Sequence, residues 1–230
     1  VGPTTHYVMG GIRVDGDSQM SSIPGLFAAG ECASGINGAN RLGGNSLSDL
    51  IVFGKRAGEH AAEWARAYGQ PQLDESAVAR LEQVALEPFS RGADGENPYK
   101  LQEDLQDTMQ SRVGIVRIEG EMREALEALE QYKERSGRVG VTGQRDYHAG
   151  WHTALDLRNL LTVSEAIARC ALERRESRGG HFRDDYPDKH EEFATVNVMV
   201  KQVGDTMQVS RVPVVAMPEE LMQVIEEQKT

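Results

Sequence analysis

Apolar positions change their spacing twice along the chain. From Ser46 onward Leu47, Leu50, Ile51, Gly54, Gly58 and Ala61 fall on one helical face, which predicts a helix ended by Gly69-Gln70-Pro71. Upstream of it, residues 1 to about 45 are glycine-dense with little helical periodicity, and read as short strands and tight loops. Within them Leu26-Phe27-Ala28-Ala29, bounded by Pro24-Gly25 and Gly30-Glu31, predicts a buried strand that delivers an acid at its carboxyl end. Residues 71 to 190 are charged and helical in period: Leu101, Leu105, Met109 and Val113 repeat every four, Met122, Leu126 and Leu129 resume the stripe, and Leu157, Leu160, Leu161, Ile167 and Ala171 form another. A small helical bundle is the economical reading, with a helix start at Asp74 to Ala77 and loops at Arg91 to Pro98 and Ser136 to Gly150. Beyond it Ala194, Val196, Val198 and Val200 alternate with Thr195, Asn197 and Met199. Val203-Gly204-Asp205 then turns the chain into Met207 to Val212, which predicts a hairpin. Pro218-Glu219-Glu220 opens a short terminal helix with its acids at the positive end. The fold class is α+β, in three expected units: 1–70, 71–192 and 193–230.

Composition narrows the function classes. With 39% hydrophobic and 27% charged residues in 230, the chain can bury a core. A formal charge of −11 with no basic block argues against direct binding to nucleic acid or to an anionic membrane. No apolar run reaches the roughly eighteen residues that span a bilayer, so a soluble, cytosolic chain is expected. Cys32 and Cys170 stand far apart in no ligand spacing, so neither a disulfide framework, a cysteine-held metal nor an iron-sulfur cluster is expected. The chain begins at Val1 directly in a motif-like stretch, from which upstream sequence is expected.

The chemistry gathers in the first fifty residues. Gly38 to Leu47 places one fixed cation, Arg41, before Gly43-Gly44 and then Asn45 and Ser46 at the threshold of the predicted helix. Glycines let a ligand approach the main chain, amides at a helix start are unpaired donors, and the macrodipole there favours negative charge. Arg41 suits a carboxylate through two parallel bonds. From pattern alone the alternative stays open that Ser46 merely caps the helix and Arg41 pairs with a nearby acid. His6, beside Tyr7 and close to Gly10-Gly11, is a second candidate anion donor. Glu31 could accept bonds from ribose-like hydroxyls, or be a solvated loop residue.

Taken together, His6-Tyr7-Val8-Met9-Gly10-Gly11, Pro24 to Glu31, Gly38 to Gly54, Ser111-Arg112-Val113-Gly114 and Glu176 to Pro187 resemble the flavoprotein subunit of succinate dehydrogenase and fumarate reductase. The resemblance covers practically the whole chain. It implies the last piece of an FAD-binding α/β domain, a helical bundle domain and a C-terminal hairpin segment. It maps dicarboxylate binding to His6 and Arg41, and FAD contact to Glu31, Asn45, Ser46 and Leu47. The family's proton-shuttling Arg lies upstream, so no catalytic residue is assigned and the chain alone is expected to be silent. Implied partners are succinate or fumarate, an iron-sulfur subunit and, through it, membrane anchor subunits, which would place the protein peripherally on the cytoplasmic face of the inner membrane. Relatives often carry His where Asn37 stands and Ala where Gly180 stands. L-aspartate oxidase shares the fold but typically reads N-R-L-A-S-N-S-L, and Gly43-Gly44 favours the succinate/fumarate class. For the isolated chain a docking module for the iron-sulfur subunit is the other reading. Glu176 to Pro187 is expected to be a salt-bridged loop that braces the helical part against the flavin part.

Overall fold

A computed structural model describes residues 6–228. Seven helices and two small two-stranded sheets make up its elements: α1 (Asn45–Tyr68), α2 (Glu75–Arg91), α3 (Pro98–Arg112), β1 (Val116–Arg117), α4 (Glu119–Ser136), α5 (Ala149–Glu173), β2 (Phe182–Arg183), α6 (Glu191–Ala194), β3 (Val196–Val203), β4 (Thr206–Pro213) and α7 (Glu219–Glu227). The α+β class follows.

Helices α3, α4 and α5 hold the core. Leu105, Val113, Met122, Ala125, Leu129, Leu161, Ala168 and Ala171 pack into one cluster, and Leu101, Val139 and Leu157 into a second. The four-residue stripe of α3 therefore divides between two clusters, and Leu160 of α5 lies exposed outside both. Local chemistry sets the helix starts. The Asp74 carboxylate accepts from the Ser76 and Ala77 amides ahead of α2, and Asn97 accepts from Tyr99 and Lys100 ahead of α3, whose first residue is Pro98. Polar groups inside the bundle are paired: Glu165 is buried and takes Lys133 and Arg169, each at 2.6 Å.

The hairpin β3–β4 runs from Val196↔Pro213 to Val203↔Thr206, and Gly204 supplies a φ of +58° in its two-residue turn. Arg211 of β4 bonds Glu173 at the end of α5 and Glu192 of α6, which ties the hairpin to the bundle.

Two expectations are corrected. Leu26 to Ala29 is no strand: Phe27 makes one isolated bridge to Met20, Leu26 is exposed, and the chain passes into a 3-10 turn over Gly30–Cys32. A strand needs a continuous ladder, and among the described residues only this bridge is available to it. The apolar face of α1 does form a helix as predicted, yet Leu47, Leu50, Ile51 and Val52 are all exposed. Two pairings were not anticipated: the parallel contact of β1 with β2, and the bridge of Ile12 to Ala33.

Candidate functional site

Three segments converge on one corner. Residues 7–12 run beside 31–34: the Val8 amide donates to Glu31 Oε1 at 3.0 Å, the Ile12 amide to the Cys32 carbonyl at 2.8 Å, and the Ser34 amide back to Ile12 at 2.9 Å. Tyr7 reaches α1, donating its hydroxyl to Asp49 Oδ2 at 3.3 Å. Burial raises the Tyr7 pKa, and the Asp49 carboxylate raises it further, so the phenol stays protonated and holds the strand to the helix.

Against this frame the structure brings His6 and Arg41 together. Arg41 Nη2 lies 3.1 Å from His6 Nε2 across 35 residues of sequence, while its Nη1 donates to the Leu42 carbonyl at 3.1 Å. A guanidinium can only donate, so His6 Nε2 is the acceptor and the imidazole carries its proton on Nδ1. The same guanidinium sits 4.5 Å over the Tyr7 ring, where the π face favours a cation. Among the described residues Arg41 has no carboxylate partner, and its buried Nε bonds nothing. The alternative of an acid-paired Arg41 is therefore not what the structure holds. A half-buried cation with an unsatisfied donor suits an anion supplied from outside the chain.

The start of α1 lies just beyond. Its N-cap is Gly44 at φ +82°, no side chain caps it, and its first turn carries no acid. Ser46 thus does not cap the helix, because Asn45 already begins it. A Cβ added at Gly43 or Gly44 would meet nothing within 4 Å. The Asn45 and Leu47 amides turn back to the Leu42 and Gly44 carbonyls at 3.2 Å, and no side-chain cap or first-turn acid offsets the positive dipole end, beside which Asn45 and Leu47 lie exposed. These features fit a large, electron-rich cofactor lying across the helix start. Glu31 is exposed, and its second oxygen bonds nothing among the described residues. Gly30 at φ +74° abuts Leu50 of α1, where a Cβ would overlap the leucine side chain; this close approach sets Glu31 next to the helix.

Sequence reasoning did not foresee Asp49 as the buried acceptor for Tyr7, since an acid one turn into a helix ordinarily faces water. No three of the His, Cys, Asp and Glu side chains gather as a metal site among the described residues.

The Glu176 to Pro187 segment is a charged loop locked from beneath. Glu176 is fully buried and accepts from Arg174 at 2.5 Å, from Arg178 at 2.8 and 2.9 Å, and from the His190 amide at 3.0 Å. Burial alone would raise its pKa, but these donors outweigh burial and hold the carboxyl at about 2. Arg183, also fully buried, makes a bidentate pair with Asp185 at 2.7 and 2.6 Å and donates to the Ala171 carbonyl at 2.9 Å, placing a cation at the carboxyl end of α5. Asp185 in turn accepts from the Glu119 amide at 2.8 Å at the start of α4.

Comparison with known proteins follows the same segments. Residues 102–226 match the family described as the fumarate reductase flavoprotein C-terminus, and residues 1–47 match the FAD binding domain. The fumarate reductase flavoprotein subunit of Mycobacterium tuberculosis is 38% identical over 223 residues, which are 93% of this chain and 38% of that protein. Its counterpart in Escherichia coli is 39% identical over 189 residues, 80% of this chain and 31% of that protein. Among solved structures, Mycobacterium smegmatis Sdh1 in complex with UQ1 superposes with a TM-score of 0.87 at 47% identity, covering 96% of this chain and 38% of that one. The chain thus spans between 31% and 38% of the length of these relatives.

Proposed function

Because the chain belongs to the fumarate reductase and succinate dehydrogenase flavoprotein family, we propose that it supplies the dicarboxylate-holding corner of a flavoprotein that interconverts succinate and fumarate. The observation that carries this reading is the meeting of His6 and Arg41 at 3.1 Å with no carboxylate of the described residues on the guanidinium. Arg41 would take one carboxylate of the substrate through its Nη atoms and Nε. An incoming carboxylate that occupies Nη2 displaces His6 Nε2, and the imidazole, turned to its Nε2–H form, becomes a second donor to the same anion. Two charge-assisted contacts from separate segments fix both position and rotation, and orientation is a large share of such catalysis. Tyr7, stacked under Arg41 and tied to Asp49, holds the guanidinium level.

FAD, when bound, would supply two-electron redox chemistry. This chain's part is to hold it. Glu31 would accept from ribose hydroxyls, Asn45, Ser46 and Leu47 would line the flavin, and the amide end of α1 would stabilise the negative charge of the reduced ring. We further propose three units, at 1–70, 71–192 and 193–230, electron transfer to an iron-sulfur subunit, and a peripheral place on the cytoplasmic face of the inner membrane through partner subunits. No helix among the described residues is long and apolar enough to cross a membrane.

The test is Arg41→Gln in the full-length, FAD-loaded flavoprotein. Loss of a bidentate charged contact should lower kcat/KM for succinate on the order of a hundredfold while flavin content stays normal. A variant within about threefold of the parent would sink the reading, since a single charge-assisted bond already exceeds that. The 230 residues alone are expected to give no dye-linked succinate oxidation.

A further inference from the structure

Between Ser34 and Leu42 the main chain makes, among the described residues, a single backbone hydrogen bond to another part of the molecule: the Gly180 amide donates to the Ala39 carbonyl at 2.9 Å. The segment that ends in Arg41 thus hangs, on this side, from a loop that springs from the end of α5. Contact at the same place is steric as well. Gly179 sits at φ +60°, and a Cβ built on it would overlap the Ala39 carbonyl and press on the Ala39 methyl. Gly180 lies against the other substrate segment, where its Cβ would come 2.7 Å from the Met9 methyl, three residues beyond His6.

The loop itself has little freedom. Arg178 and His181 exchange backbone bonds at 2.8 and 3.1 Å, which closes the two glycines into a tight turn. His181 then anchors the turn in the bundle: Arg117 Nη1 donates to its Nδ1 at 2.9 Å, so the ring proton is on Nε2, which donates to the Arg174 carbonyl at 2.9 Å. Burial pushes the His181 pKa down to about 4, in keeping with this neutral form. Ser177 closes the other side, its hydroxyl accepting from the Arg183 amide at 2.8 Å and contacting the Tyr186 carbonyl at 2.9 Å.

We propose that Gly179, with the Gly180 amide, is a positioning element for dicarboxylate binding, setting the main chain at Ala39 and through it the guanidinium of Arg41. The inference rests on the reading of Arg41 as the dicarboxylate ligand. No atom of the loop need touch substrate. One residue, Asn40, separates Ala39 from Arg41, so a shift of its carbonyl reaches the guanidinium almost undamped, and an ångström of misplacement can cost a bound reactant on the order of a hundredfold in rate.

Three glycine-to-alanine variants in the full-length, FAD-loaded flavoprotein test it, with malonate as a non-reacting dicarboxylate probe. Its dissociation constant is read from the perturbation of flavin absorbance, beside KM and kcat for succinate. Gly120→Ala, on an exposed turn of α4 where a Cβ meets nothing within 4 Å, should change neither. Gly180→Ala overlaps only the flexible end of Met9, its contacts with the Ala39 carbonyl and Asn40 Oδ1 being ordinary at 3.7 and 3.8 Å, and should weaken malonate a few-fold at most. Gly179→Ala should weaken malonate and raise KM by about tenfold or more at unchanged flavin occupancy, because a main-chain carbonyl cannot step aside as a methyl can. A loop that was merely structural would instead lower flavin content and kcat together and leave the dissociation constant of the surviving holoenzyme alone. If Gly179→Ala fails to retain flavin, His181→Phe, which removes both ring bonds beneath the turn, carries the test by the same criterion. Malonate binding within twofold of the parent in flavin-replete Gly179→Ala, or in His181→Phe where that variant stands in for it, overturns the proposal when Arg41→Gln has lost it. Retention by Arg41→Gln itself overturns the reading beneath, and the positioning role with it.

Discussion

Glu176→Gln isolates the centre of the charged loop. The native carboxylate is fully buried and accepts four bonds, three of them from two guanidinium groups, so the amide leaves Arg174 and Arg178 facing each other without a counter-charge. Breaking a buried pair costs about 3–5 kcal/mol, and the partial exposure of both arginines to water favours the lower end. Linkage gives an independent figure. The carboxyl falls from 4.5 to about 2 on folding, which at about 1.4 kcal/mol per unit corresponds to roughly 3 kcal/mol. Because the folded pKa is depressed, that stability is complete above 4.5 and drains away as pH falls toward 2. Amide hydrogen exchange of peptides spanning residues 174–193, read as the ratio of variant to parent rates, separates this from every other group. Intrinsic exchange cancels in the ratio, and so does His181, whose depressed pKa lowers stability in both proteins as pH falls from 6.5 toward 4. The ratio should be on the order of a hundredfold at pH 7 and shrink to about tenfold at pH 3. A ratio that does not move with pH, or one below about fivefold at pH 7, would refute the reasoning.

Two further outcomes are expected. Arg183→Met removes a fully buried cation from the Asp185 carboxylate and from the end of α5, and should cost about 3–5 kcal/mol, measured as a fall in urea midpoint at unchanged slope. Iodoacetamide at pH 8 should label Cys32 and spare Cys170 in the native protein, since burial pushes the Cys170 thiol up to about 11 while Cys32 is exposed; equal labelling by intact mass would count against the packing around α5.

Most of the helical architecture was legible because its signals are local. Asp74 marks a helix start by the bonds it accepts, Gly204 marks the hairpin by the φ it adopts, and the leucine stripes of α3 and α5 mark the core by period. What failed was pairing at a distance. An apolar run such as Leu26 to Ala29 has the composition of a strand whether or not a partner ladder is present, and β1–β2 is too short for any period. At the site, the separate segments bearing His6 and Arg41 could each be picked out as anion donors, yet their approach depends on folds made elsewhere. Asp49 and Gly179 carry no local signal at all. An acid on a helix and a glycine in a turn are ordinary until Tyr7 and Ala39 are known to lie against them.

The two halves of the molecule are held in opposite ways, and this bears on how the site works. Around α3, α4 and α5 an apolar core is cross-linked by the buried Arg183 and the half-buried Arg174 and Arg117, each with several acceptors. The corner with His6 and Arg41 has little of that: the α1 face beside it is apolar and exposed, and its loops are joined by a handful of main-chain bonds. Position in such a corner must be imported from something stiffer. The nearest stiff body is the carboxyl end of α5, where Arg183 and Arg174 fasten the loop that ends at Gly179 and Gly180. The bonds fastening it are buried or part-buried, which shields them from salt better than a surface pair would be. Placement of the Ala39 carbonyl should therefore survive ionic strengths that dissolve the exposed ion pairs of α1, such as Lys55 with Glu59. Dicarboxylate binding at the proposed site, a meeting of charges at an open corner, should weaken with salt while the corner's geometry does not.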